Sequence, residues 1–164
     1  MQNHTKSQTR LAFIQYIFQS EFFDEDASQT IDDFSNHFYN SNIAIIDENI
    51  EFKFKFNKSF LNKLFRNYQN NFDRNRIIND IDNFNETDRK FENWDKILIS
   101  LILAIISELN NTDEKKIKIV FNDYLNISKS LVSSQQTKLI NAIIHKYLNN
   151  YEFKKRKTFW EDNY

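Results

Sequence analysis

The sequence predicts an all-α protein of about seven helices. Three observations carry this. Apolar residues recur at intervals of three and four over most of the chain, the period of a helix with one buried face. Gly, Pro and Cys are all absent, so the tight primed hairpin turns that favour Gly are poorly served. Clusters of Asn, Asp, Ser and Thr separate the periodic stretches and supply caps and turns without Gly. Part of this bias is compositional: Asn, Ile, Lys and Phe are abundant and Ala is scarce, as AT-rich codons favour. The missing Gly therefore permits helices rather than proves them.

The first helix is predicted over residues 9–23, with Leu11, Ile14, Phe18 and Phe22 on one stripe. Lys6 and Arg10 fall at or just before its start, where cations oppose the helix dipole. That small cost suggests another use, against the plain reading of two exposed side chains. Asp24, Glu25 and Asp26 break the pattern, and Thr30 with Asp33 resembles a capping box. A second helix would carry Ile31, Phe34 and Phe38. Residues 40–49 read as a loop with a short apolar knot at 43–46. Residues 50–56 alternate strictly, which by period alone is a strand. With no second strong strand to pair, the expectation there is an extended or helical lead-in, because a lone strand leaves its backbone groups unsatisfied.

The helical period returns at Asn57 with Phe60, Leu61, Leu64, Phe65 and Tyr68, and again over residues 73–84 with Ile77, Ile78 and Ile81. After a polar break at 85–88, Trp94, Ile97, Leu98, Leu101, Ile102, Ile105 and Leu109 trace the strongest helix, widened by Leu103 and Ile106. A helix apolar nearly all round is a central, buried one. Ile117, Val120, Phe121, Tyr124, Ile127 and Leu131 mark the next. Ser133 with Gln136 makes a capping box for the last, which carries Leu139, Ile140, Ile143, Ile144 and Tyr147. Residues 1–150 thus form one helical domain. Residues 151–164 form a tail with the basic run Lys154-Lys155-Arg156-Lys157 and the aromatics Phe159 and Trp160.

Composition also bounds function. Without Gly there is no phosphate-cradling loop and no strained Ser elbow. Without Cys there is no disulfide, thiolate nucleophile or Cys-ligated zinc. His4, His37 and His145 are scattered, and none pairs at metal-site spacing, so no metal or cofactor is expected. The carboxylate clusters at 24–26, 32–33 and 80–82 read as caps or solvated faces before they read as acid–base pairs, and no catalytic residue is assigned. Most aromatics lie on the apolar stripes; Tyr16, Tyr39, Trp160 and Tyr164 are the exposed candidates for stacking on bases. With 22 basic and 23 acidic residues, the chain lacks the basic excess of a strong lone nucleic-acid binder, so RNA contact would come from a local patch and be salt-sensitive. The apolar run 97–106 is far shorter than the ~20 residues that cross a bilayer. With no signal-peptide pattern, a cytoplasmic location is expected.

From Trp94 onward the order of features resembles the NusB family of bacterial antitermination factors. That family has a central helix with a Trp near its start and a Glu-Leu ending; here these are Trp94 and Glu108-Leu109. A Lys-Val-x-Ile-Asn-Glu segment is matched by Lys118-Ile119-Val120-Phe121-Asn122-Asp123, and an Ala-Lys-Ser-Phe segment by Ser128-Lys129-Ser130-Leu131. The last signature, Phe-Val-Asn-Gly-Val-Leu-Asp-Lys, stands here as Leu139-Ile140-Asn141-Ala142-Ile143-Ile144-His145-Lys146. Near the start, Arg10, Ala12 and Gln15-Tyr16-Ile17-Phe18 are similar to the family's Arg-bearing opening and Gln-x-Leu-Tyr pattern. The departures are Asp123 for Glu, Ala142 for Gly, a missing Pro, Leu139 for an RNA-near Phe, and Leu103 where many members carry Arg.

The resemblance implies two packed three-helix bundles. It implies binding of boxA leader RNA as a heterodimer with NusE, a small-subunit ribosomal protein, within the RNA polymerase antitermination complex on ribosomal RNA operons, with no reaction catalysed. By position, Lys6 and Arg10 match the family's basic N-terminal RNA contacts, and Gln135 and Lys138 match the loop and helix start that meet the same RNA. Phe18 falls where a Tyr contributes to the binding face, and Asn122 and Asn141 would tie helix ends and turns. Replacing an exposed Arg10 would then weaken RNA binding and leave folding intact. Two alternatives stand beside this: a helical protein–protein interaction module without RNA specificity, favoured by the missing Phe, and an RNA methyltransferase, for which the Gly-rich cofactor loop is lacking.

Overall fold

A computed structural model describes residues 3–22, 43–47, 50–53 and 56–150. The chain is all-α in its core. The described residues form six α-helices: α1 (Asn3–Phe22), α2 (Lys58–Asn71), α3 (Arg74–Phe84), α4 (Lys96–Asn110), α5 (Glu114–Leu131) and α6 (Ser134–Leu148). A 3₁₀ turn at Phe91–Asn93 leads into α4. The expected helix carrying Ile31, Phe34 and Phe38, and the tail 151–164, lie outside the described residues.

Between α1 and α2 sits a two-stranded antiparallel hairpin, β1 (Ile43–Asp47) and β2 (Ile50–Lys53), in which Ile43 pairs with Lys53, Ala44 with Phe52 and Asp47 with Ile50. This corrects two expectations. The alternating segment at 50–53 is a strand, as its period indicated, and its partner is the apolar knot at 43–46 that reads as a loop. Ile43, Ile45 and Ile46 are β-branched residues of high strand propensity, and pairing gives each strand a hydrogen-bonded partner along one edge.

Helix α4 is the centre of the molecule. Leu98 through Leu109 are all buried, and α4 packs on α1, α2, α5 and α6. The buried residues of all six helices form one continuous core. Phe13 and Ile17 of α1, Leu61 and Phe65 of α2, Tyr124 of α5 and Ile140 and Ile144 of α6 meet there. Leu103, at the place where Arg would stand in the resembling family, is fully buried.

Helices α1 and α2 run side by side in the same direction: Thr9 Oγ1 accepts from the Asn57 backbone N–H, the Tyr16 ring lies 4.3 Å from that of Phe65, and Tyr68 donates to Glu21. Tyr16 is consequently half-buried, not an exposed stacking platform, and its hydroxyl accepts from Gln69.

The absence of Gly is met by side chains at the helix ends. Asn57, Asp73, Asp95 and Ser133 accept from the backbone N–H groups that open α2, α3, α4 and α6. At the end of α4, Asn111 Nδ2 donates to the Ser107 carbonyl and Thr112 Oγ1 to that of Glu108, satisfying groups that a left-handed Gly usually covers. No described residue takes a positive φ. Asp82, read from sequence as part of a carboxylate cluster, accepts from the Phe91 N–H and fixes the approach to α4.

Candidate nucleic-acid interface

Helix α1 begins at Asn3, about two turns before the expected start. That extension moves Arg10 from the helix end to its middle, on the same face as Phe13 and Ile17. Arg10 is only 6% exposed. Its Nε donates to both oxygens of Glu108, at 3.1 and 3.0 Å, and Nη2 donates to Glu108 Oε1 at 2.8 Å. Nη1 donates to Asp123 Oδ2 at 2.6 Å. The guanidinium also lies 5.4 Å from the Phe60 ring centre and 5.6 Å from that of Tyr124, within cation–π range.

The carboxylates are satisfied in turn. Tyr124 donates to Glu108 Oε2, and Ser7 to Asp123 Oδ1. Burial alone would lower the pKa of Arg10, but the hydrogen bonds and charge of Glu108 more than reverse this, so the guanidinium stays charged. Burial, then the Glu108 charge, pushes the Tyr124 phenol well above its ordinary value, so it stays a donor. One cluster thereby ties α1, α4 and α5 together. The exposed phosphate contact expected of Arg10 is corrected: the side chain is internal, and each of its three guanidinium nitrogens donates to a carboxylate.

Lys6 is half-buried on α1, one turn before Arg10 and beside Ser7, which reaches Asp123 of α5. Gln135 and Lys138 are exposed on the first turns of α6, whose start is set by the Ser133–Gln136 capping box. Phe18 is partly buried and borders an apolar groove with Leu11, Ile14, Ile97 and Leu131. The groove thus brings Phe18 next to the end of α5, where the chain turns into α6. Lys6 lies towards the other end of the α1–α5 contact.

Asn122 and Asn141 do not tie helix ends. Both are exposed in the middle of α5 and α6. His145 packs edge-on against Phe121, and His4 hydrogen-bonds Gln8. His37, Tyr39, Trp160 and Tyr164 lie outside the described residues. The partners of Arg10 were not singled out as a site from sequence. A signal existed: Glu108 is the one charged residue after Lys96 in a helix apolar nearly all round, and a buried carboxylate needs a cation.

Among the described residues, no helix is long and apolar enough to cross a membrane. No family model, no curated protein and no solved structure matches the chain.

Proposed function

We propose that this domain is a NusB-type RNA-binding adaptor, which meets boxA-type leader RNA together with the ribosomal protein NusE in an antitermination complex. One observation carries the reading. Arg10, Glu108 and Asp123 belong to three separate segments of the family resemblance, and these three residues meet in one buried cluster. Segments far apart in sequence are thus used together, as they would be if the resemblance reflects a common architecture and not a chance run of similar letters. The exposed face at the start of α6, with Gln135 and Lys138, is then the surface offered to RNA, with Lys6 as a further cationic contact.

The test is RNA binding by the purified protein, with and without NusE, against boxA and a scrambled control at two salt concentrations. Partner-dependent preference for boxA supports the reading. Partner binding with no preference between the two RNAs overturns its RNA half. That outcome is the second reading, an interaction module without RNA specificity. It is favoured by the apolar groove of Leu11, Ile14, Phe18, Ile97 and Leu131, a surface suited to a protein side chain, and by Leu139 in place of an aromatic.

A further inference from the structure

We infer that the outward face of α2 is a second phosphate-binding strip, which holds the backbone of a single-stranded RNA through Lys63 and Arg66. Helix α2 carries three cations, Lys58, Lys63 and Arg66, and no carboxylate, in a chain whose acidic and basic residues otherwise nearly balance. Its inner face is fully used: Leu61, Leu64 and Phe65 are buried against α1 and α4. At 100° per residue, Ser59, Lys63, Arg66, Asn67 and Asn70 share the opposite face, about 16 Å long at 1.5 Å per residue. Asn57, Ser59, Phe60, Lys63, Arg66 and Asn67 border one open recess there.

The charges on this face are uncommitted. Arg10, Arg74 and Lys146 are each ion-paired, whereas Lys63 and Arg66 are exposed and make no ion pair among the described residues. Like charges one turn apart repel and give a helix nothing in return unless an anion lies between them.

The chemistry of the face favours RNA over an acidic protein. The exposed positions of α2 are Lys58, Ser59, Lys63, Arg66, Gln69, Asn70 and Asn71, with no apolar side chain among them. A protein partner needs an apolar anchor at the centre of its contact. Cations among amides and hydroxyls are the set that meets phosphate, sugar and base edges. The start of α2 also adjoins α1 through the Asn57–Thr9 hydrogen bond, one turn beyond Lys6 along that helix. A strand leaving Lys6 would therefore continue onto Ser59 and Lys63.

The inference rests on the RNA reading above for the class of ligand only, and the experiment separates the two. The full chain is titrated against a labelled single-stranded RNA of about 20 nucleotides and against polyglutamate, over a range of salt concentrations. The expected result is that Lys63→Ala/Arg66→Ala, with an unchanged melting temperature, weakens RNA binding about tenfold at low salt and lowers the log–log salt slope by about 1.4. Lys63→Arg should retain wild-type affinity. If the wild type binds RNA and the double variant binds it equally well, the α2 strip is wrong and the RNA reading stands. If the wild type binds no RNA even at low salt, with or without NusE, both fall. Equal affinity for polyglutamate and RNA would also overturn the assignment of RNA as the ligand.

Discussion

Arg10 and Glu108, 98 positions apart, form a bidentate ion pair in the interior, with the guanidinium Nε and Nη2 on one carboxylate. Both side chains are less than one-tenth exposed. Removing one partner of such a pair strands the other charge without water. Arg10→Ala should therefore cost about 3–5 kcal/mol of stability, read as a lower denaturant midpoint. The double variant Arg10→Met/Glu108→Met should lose less than Arg10→Ala alone, because no charge is left stranded at position 108. A small loss for Arg10→Ala, with RNA binding alone impaired, would show that the side chain is free to leave the cluster.

Tyr68 and Tyr124 give the fold its alkaline limit. Burial, followed by the charge of Glu21 for the first and of Glu108 for the second, raises both phenols above their ordinary value. The folded state therefore binds these protons more tightly than the unfolded state. The linked stability is fully present below about pH 10, the unfolded value, and is lost as pH rises beyond it. In an absorbance titration of the phenolates, these two should ionise only together with the loss of helical circular dichroism. Ionisation of every tyrosine before that loss would contradict the buried geometry.

What could be read in advance divides along a physical line. Periodicity reports which face of a helix is buried, so α2 through α6 and the central place of α4 were legible from residues such as Leu61, Ile81, Leu101 and Tyr124. Periodicity does not report where a helix starts when the first turns are polar. Asn3 to Gln8 contain no apolar residue, so the period alone starts α1 too late and puts Arg10 at an exposed helix end. The hairpin was hidden for a related reason: Ile43 to Ile46 is too short to show any period, and only pairing with 50–53 defines it. The capping box at Ser133 fixes the phase of α6 and leaves Gln135 and Lys138, which the resemblance alone singles out, exposed.

That capping box is itself open to test. Ser133 Oγ accepts from the Gln136 N–H at 3.2 Å, and Gln136 Oε1 accepts from the Ser133 N–H at 3.1 Å. With no Gly or Pro to set the turn between α5 and α6, the reciprocal pair acts together with the Val132 N–H, which donates to the Ser128 carbonyl at the end of α5. Ser133→Ala should cost about 1 kcal/mol, with faster amide exchange confined to the first turn of α6. Unchanged exchange there would mean that packing, not the cap, starts the helix.

Leu101 supplies the contrast with every surface substitution. It lies at the middle of α4, wholly buried, on the helix that packs on α1, α2, α5 and α6. Leu101→Ala removes apolar contacts and leaves a cavity that the rigid neighbours, Ile102 and Ile105 on the same helix among them, cannot close. The expected loss is about 2–5 kcal/mol, in thermal or denaturant unfolding. Lys138→Ala, by comparison, touches no core residue and should leave the melting curve in place while weakening RNA binding and lowering its salt slope by about 1. If Leu101→Ala were tolerated as well as Lys138→Ala, α4 would not be the centre of the core. If Lys138→Ala changed stability and not RNA affinity, the start of α6 would be ruled out as the RNA-facing surface.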